Sequence, residues 1–158
     1  SYYLQIQQMR FGEDFSYHVE VEETLKKYYI LPLIIQPLVE NAMIHGLEAK
    51  EDRGFIRIVL LERKDLLEIE VTDNGVGISR DTLNEIQERM DDETYQSEGN
   101  RIGLHNVQQR IKLYHGKDYG LTIESIHGLG TTVHMKLPKI EHDRIYSYRY
   151  RFRFSIIQ

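Results

Sequence analysis

The sequence predicts an α/β (α+β) two-layer sandwich: a mixed, largely antiparallel sheet with helices packed on one face. Three observations carry that prediction. Two pairs of strand-like runs are joined by short turns, "GFIRIVLLERKDLLEIEV" and "GLTIESIHGLGTTVHMKLP", the pattern of β-hairpins. Longer segments with apolar residues at helical spacing lie before and between them. The strands are dense in Ile, Leu and Val, as strands covered by helices are.

The bulk numbers set the frame. The 158 residues suffice for about one domain with a real core, and 41% hydrophobic with 28% charged residues is ordinary for a soluble globular chain. There are no cysteines, which excludes disulfides and thiolate metal sites. No apolar run in these residues approaches the roughly 18 of a membrane span, and the opening residues do not read as a signal peptide. The net charge of −5 is uneven: residues from Lys139 onward hold five basic and two acidic side chains, a sum of +3, so the first 138 carry −8. That balance argues against a general nucleic-acid surface on the main body.

Taken in order, "SYYLQIQQMR" reads as the end of a helix, with Tyr3, Ile6, Gln7 and Arg10 at helical spacing and no N-cap before it. "FSYHVEVE" alternates Phe15, Tyr17, Val19 and Val21 with polar residues, the period of a strand. Pro32 or Pro37 can sit in the first turn of a helix that runs to His45, where Gly46 would cap it. A hairpin follows, turning near Arg63–Asp65. Asp81 is expected to cap a helix through about Met90, and the polar stretch to residue 102 to form a mobile loop. The next helix should turn Leu104, Val107, Ile111 and Leu113–Tyr114 inward. The second hairpin turns at Gly128–Gly130.

One helix poses a question. "IIQPLVENAMIHG" is an apolar run that also carries Glu40, Asn41 and His45. Burying such groups without partners costs about 2 kcal/mol or more each, so something polar should face them.

Four short signals recur in fixed order: "ENAMIHG" on a helix, "DNGVGI" after a strand, "GNRIGLHNV" entering a helix, and "GLGTT" in a hairpin. Singly each is a common turn or helix entry. Together, at these intervals, they resemble the catalytic ATP-binding domain of two-component sensor histidine kinases, with the Bergerat (GHKL) ATPase fold. The pattern is similar to the LytS/YesM-like group, whose signature resembles "QPLVENAxxHG". The resemblance spans about Tyr2 to Pro138.

The resemblance implies ATP and Mg²⁺ as cofactors and names the site. Asn41 would ligate Mg²⁺, for which an amide oxygen is a suitable hard ligand. Glu40 would assist phosphotransfer by holding a water or taking a proton. His45, four residues after Asn41 and on the same helix face, belongs with the catalytic candidates, with a packing or phosphate-facing role both open. Asp73 would accept from the adenine amine, beside Gly75 and Gly77, which let the backbone approach the base. Gly99, Arg101 and Gly103 would bound a phosphate-cradling lid at the start of the helix from Leu104. Asn106 would reach the nucleotide or cap locally, and Thr131 or Thr132 would lie near the adenine.

Two departures stand out. Arg101 replaces the middle lid glycine and can pair with a phosphate; Ile44 stands where relatives carry Lys or Arg. In this group the phosphorylated histidine lies in a context like "NPHFLFN", which surrounds none of the seven histidines here. The domain expectation is therefore 1–12 as the end of a helix from a missing dimerisation and acceptor region, 13–138 as the catalytic domain, and 139–158 as a basic, aromatic extension. The implied partners are the protein's own dimerisation/phosphoacceptor helix in a homodimer and a response regulator, with no nucleic acid. The implied location is the cytoplasmic side of a cell-membrane sensor, with any membrane contact made through missing segments. An anti-sigma-type serine kinase and a nucleotide-sensing module without phosphotransfer are the alternatives; the "QPLVENA" context favours the sensor-kinase group.

Overall fold

The structure, a computed structural model, describes residues 2–47, 53–92 and 102–141. Its elements run α1 (Tyr2–Phe11), β1 (Phe15–Val21), α2 (Gln36–Asn41) continuing as a π-helical turn (Ala42–Leu47), β2 (Gly54–Arg63), β3 (Leu66–Asp73), α3 (Arg80–Asp91), α4 (Ile102–His115), β4 (Gly120–Ile126) and β5 (Gly130–Pro138). Lys64, at the β2–β3 turn, has φ 50°, a left-handed value that suits the tight turn between twisted strands.

The five strands are ordered β1-β2-β3-β5-β4. Only β1 and β2 are parallel; the other three pairings are antiparallel. The sheet is thus mixed and largely antiparallel, as the hairpin pattern predicts. The β1–β2 crossover passes through α2, and the β3–β4 connection through α3 and α4, so both crossovers supply helices. The β4–β5 hairpin then inserts β5 beside β3.

Strand alternation decides the core. Leu67, Ile69 and Val71 of β3 and Val133, Met135 and Leu137 of β5 are almost fully buried, and they meet Leu38 of α2 and Val107 and Ile111 of α4 in one cluster. Each such side chain contributes about 1.5–3 kcal/mol by leaving water. The alternate residues make the other face polar: Glu68, Glu70, Thr72, Thr132 and His134 line it, and Arg57 there donates two bonds to Glu20 at 2.8 and 3.0 Å.

Three local expectations change. Ser79 caps α3, its hydroxyl accepting from the Thr82 N–H at 3.3 Å; Asp81 sits inside the first turn, where its charge favours the helix dipole without capping. Leu113 and Tyr114 are exposed, because Val107, Gln108 and Ile111 set the buried face of α4 and Leu113 lies on the side opposite to it. Ile6 is exposed, and Leu4 reaches the core from α1. Gly46 does not terminate a helix; it lies inside the π-helical turn, buried.

Candidate functional site

The π-helical turn brings its backbone against the end of β3. Gly46 packs so tightly on Asp73 that an added Cβ would lie 2.7 Å from the carboxylate Oδ1, and a Cβ on Gly75 would drive into the Gly46 carbonyl. That carbonyl accepts from the Val76 N–H at 3.0 Å. One residue on, Gly77 has φ +65°, and a Cβ there would strike the Ile126 carbonyl. The Gly128 N–H donates to the Val76 carbonyl at 2.7 Å. Three segments of the chain, 42–47, 73–79 and 126–130, are therefore held together; a Cβ at 75 or 77 would strike backbone, and one at 46 would strike the Asp73 carboxylate.

Asp73 sits inside this junction, 5% exposed, its Oδ1 accepting from the Gly75 N–H at 2.8 Å. Thr131, its cross-strand partner, is also buried, and its hydroxyl lies 2.9 Å from Ser125 Oγ. The same Oγ accepts from the Ile78 N–H at 2.8 Å, tying the 73–79 loop to β4.

Beside the junction opens a cavity of about 400 Å³. Asn41 and His45 form one wall, so the two residues do share a face even though the helix widens between them. Ile78, Ile86, Met90 and Leu104 give an apolar wall, and Gly77 adds bare backbone. Polar groups sit at intervals: Ser79, Thr82, Arg89, His105 and His127. An apolar slot with a few convergent polar groups is the general form of a small-molecule site. His105 is held by its Nδ1, 3.0 Å from the Arg89 carbonyl; a carbonyl only accepts, so that nitrogen carries the proton.

Of the sequence-predicted residues, Asn41, His45, Gly77 and Leu104 line the cavity, while Asp73, Gly75 and Thr131 form the buried junction next to it. Glu40 is half-buried and turned along its own helix, accepting from Gln36 Nε2 at 2.7 Å. Gly103 packs near Pro37 of α2. Asn106 is exposed and outside the lining. Thr132 points to the opposite face of the sheet, its hydroxyl 3.1 Å from that of Thr72, because neighbours on a strand face opposite ways. Gly99 and Arg101, with the lid they belong to, lie outside the described residues.

Sequence reasoning missed Ile86, Arg89, Met90, His105 and His127. Helical spacing of Ile86 and Met90 on α3 was the available signal, since it marks a face without saying what that face meets. A second omission is Gln108, 4% exposed. Its Oε1 accepts from the Leu121 N–H at 2.7 Å and its Nε2 donates to Asp91 Oδ1 at 3.2 Å. Lys112 Nζ reaches the same oxygen at 2.7 Å. The lysine bond above all, and the amide after it, hold the Asp91 carboxyl below its usual range. The cavity's α3 wall is thus braced to α4 and β4.

A mixed, largely antiparallel sheet with helices on one face, a junction closed by glycines and an apolar slot beside it form a domain built to hold a small molecule. The histidine kinase-, DNA gyrase B-, and HSP90-like ATPase family matches residues 29–141, and the chain belongs to that family as an ATP-binding domain of the histidine-kinase type. Curated relatives include the sensor histidine kinase YesM of Bacillus subtilis, 36% identical over 87% of this chain, and the sensor histidine kinase YpdA of Escherichia coli, 34% identical over 86%. The chain spans 22% of the length of each of these two proteins. Among solved structures, the catalytic domain of the histidine kinase ThkA superposes with a TM-score of 0.59, at 20% identity over 87% of this chain and 92% of that one. ThkA in complex with the response regulator TrrA gives the same TM-score at 17% identity, over 90% of this chain and 39% of that one.

Proposed function

We propose that this domain binds Mg²⁺-ATP in the cavity beside Asn41 and delivers the γ-phosphoryl group to a histidine on a dimerisation helix of the same protein or its dimer partner, for onward signalling to a response regulator. The observation that carries the proposal is the cavity itself: an apolar slot for a flat base, joined to a polar wall bearing Asn41 and His45.

Asp73, its geometry fixed by the Gly75 N–H, would accept from the adenine amine; a guanine presents a carbonyl at that position, which a carboxylate repels. Gly75 and Gly77 keep side chains out of the base's way. Asn41 offers an amide oxygen to the cavity, a donor that fits Mg²⁺, which takes oxygen ligands and keeps several waters. When bound there, the ion supplies neutralisation of charge on the phosphates. His45 and Arg89, both lining the cavity, would meet those phosphates. Glu40, adjacent to Asn41 but off the lining, is accessible to a macromolecular acceptor, and its carboxylate would take or orient the proton of the attacking imidazole. Residues 13–138 would form the catalytic unit, α1 would lead from the dimerisation region, and the parent protein would be a membrane sensor. No helix among the described residues is long and apolar enough to cross a membrane, so a membrane anchor would be supplied elsewhere in that protein.

The direct test is incubation with γ-labelled ATP and a separately made acceptor-helix fragment carrying the group's "NPHFLFN" context. Acid-labile, base-stable label on the fragment is expected. Label that stays on ATP, although ATP binds, would refute the transfer.

A further inference from the structure

The polar face of the sheet, away from the cavity, carries a second constellation. Glu68 and Glu70 lie two apart on β3, so both carboxylates project from the same face. His134 on β5 is the direct cross-strand partner of Glu70. Its Nδ1 is 3.6 Å from Glu68 Oε1 and 3.6 Å from Glu70 Oε1. These distances are too long for hydrogen bonds. They are close to the roughly 3.4 Å that separates two ligand atoms on one tetrahedral ion with bonds near 2.1 Å. One imidazole nitrogen and two carboxylate oxygens converge within 4.8 Å of one another.

The other ring nitrogen supplies an independent observation. His134 Nε2 is buried and has no hydrogen-bond partner among the described residues, which is costly for a polar atom. Glu124 Oε2 on β4 lies 3.9 Å away, on a side chain that is 81% exposed and able to move. A histidine that ligates through one nitrogen regularly gives the other N–H to a carboxylate. Loading Nδ1 would fix the proton on Nε2 and direct it at Glu124.

Charge points the same way. Glu68, Glu70 and His134 have side chains only 17–24% exposed, so the carboxylates are held together partly out of water. Arg63 reaches Glu68 Oε2 at 3.4 Å, leaving Oε1 toward His134; Arg57 is bonded to Glu20 and also attracted by Glu70; Lys136, opposite Glu68, is exposed.

We infer that Glu68, Glu70 and His134 form a binding site for a divalent transition ion, Zn²⁺ by donor chemistry, with Glu124 orienting the histidine. Mixed imidazole and carboxylate ligation suits zinc, whereas Mg²⁺ and Ca²⁺ prefer all-oxygen sets. The ion would clamp β3 to β5 three rungs from Asp73 and Thr131, the pair at the nucleotide junction.

The test is Zn²⁺ titration of the nucleotide-free 158-residue chain, without an affinity tag and with Asn41→Ala to remove the proposed Mg²⁺ ligand. Binding by calorimetry is read together with the His134 ring resonances by NMR. One Zn²⁺ per chain is expected, with the His134 signals shifting on saturation. His134→Gln and Glu70→Gln should each weaken binding at least about 10-fold, and Glu124→Gln about 10-fold through loss of orientation. These substitutions lie on the polar face, and far-UV circular dichroism of each variant should match the parent. An unchanged isotherm in His134→Gln, or no saturable binding by the parent, overturns the site and leaves the kinase proposal untouched.

Discussion

Gly75 shows how one missing side chain shapes the site. Because the Gly46 carbonyl fills the space a Cβ would need, Gly75→Ala must push the 73–79 loop away from the π-helical turn. Overpacking of that kind costs about 1–3 kcal/mol, and the displaced loop carries Asp73. The expected outcome is a lower denaturation midpoint together with loss of ATP binding; an alanine variant with the parent's affinity would show that the close approach has no functional part. Asn41 is the contrasting case. It is half-buried and lines the cavity, so Asn41→Ala should leave the fold intact. With the proposed Mg²⁺ ligand gone, transfer to an acceptor fragment should fall by about 100-fold or more, since phosphoryl transfer depends on charge compensation. Glu40→Gln should lower the rate of transfer more than the affinity for ATP. Label transfer and ATP titration on the same preparations check both.

The element that most controls the cavity's shape is α3, and its hold on α4 is electrostatic at one end. Asp91 receives Lys112 and Gln108, and its lowered pKa gives the bond a definite pH dependence. The folded carboxyl ionises below the unfolded one, so the contribution is complete above the ordinary carboxylate range near pH 4 and fades as pH falls through it. Asp91 is 70% exposed, which keeps the effect under about 1 kcal/mol. Asp91→Asn should melt a few degrees below the parent at pH 7, and the gap should narrow between pH 5 and pH 3 in thermal denaturation. A gap that stays constant across that range contradicts the brace. Gln108 explains why part of this was invisible in the sequence: its partners Leu121 and Asp91 are distant in the chain, and no spacing rule marks a polar residue that turns inward. The hairpins were legible because a period of two is local, and the glycine boxes because close backbone approach admits one residue type. Thr131 and Thr132 could not be separated, since the motif gives the pair and only the strand's pairing gives the parity. Asp81 and, two residues earlier, Ser79 offer the same capping chemistry, and only the bond from the Thr82 N–H to the Ser79 hydroxyl tells them apart.

At the scale of the whole molecule, the sheet order explains why the site lies where it does. Inserting β5 between β3 and β4 puts the end of β3 next to the start of β5, so Asp73 faces Thr131. The crossover through α2 delivers Asn41 and Gly46 to the same end. Distant parts of the chain therefore meet only in the folded state, and a ligand seated among them binds the native protein and not the unfolded chain. Such a ligand stabilises by mass action: about 2.7 kcal/mol at 100 times its Kd. For a domain of this size each kcal/mol raises the melting temperature by roughly 2–4 °C, so Mg²⁺-ATP at that concentration should raise it by about 5–10 °C. GTP at the same concentration should give little shift if, as proposed, Asp73 accepts from the adenine amine. The selectivity should fail first in Asp73→Asn, whose amide can donate as well as accept and so tolerates a guanine carbonyl. Thermal scans of the two proteins with each nucleotide decide the matter. Equal shifts from ATP and GTP in the parent would remove Asp73 from base recognition, whereas a loss of both shifts in the variant alone would make it a structural support of the junction.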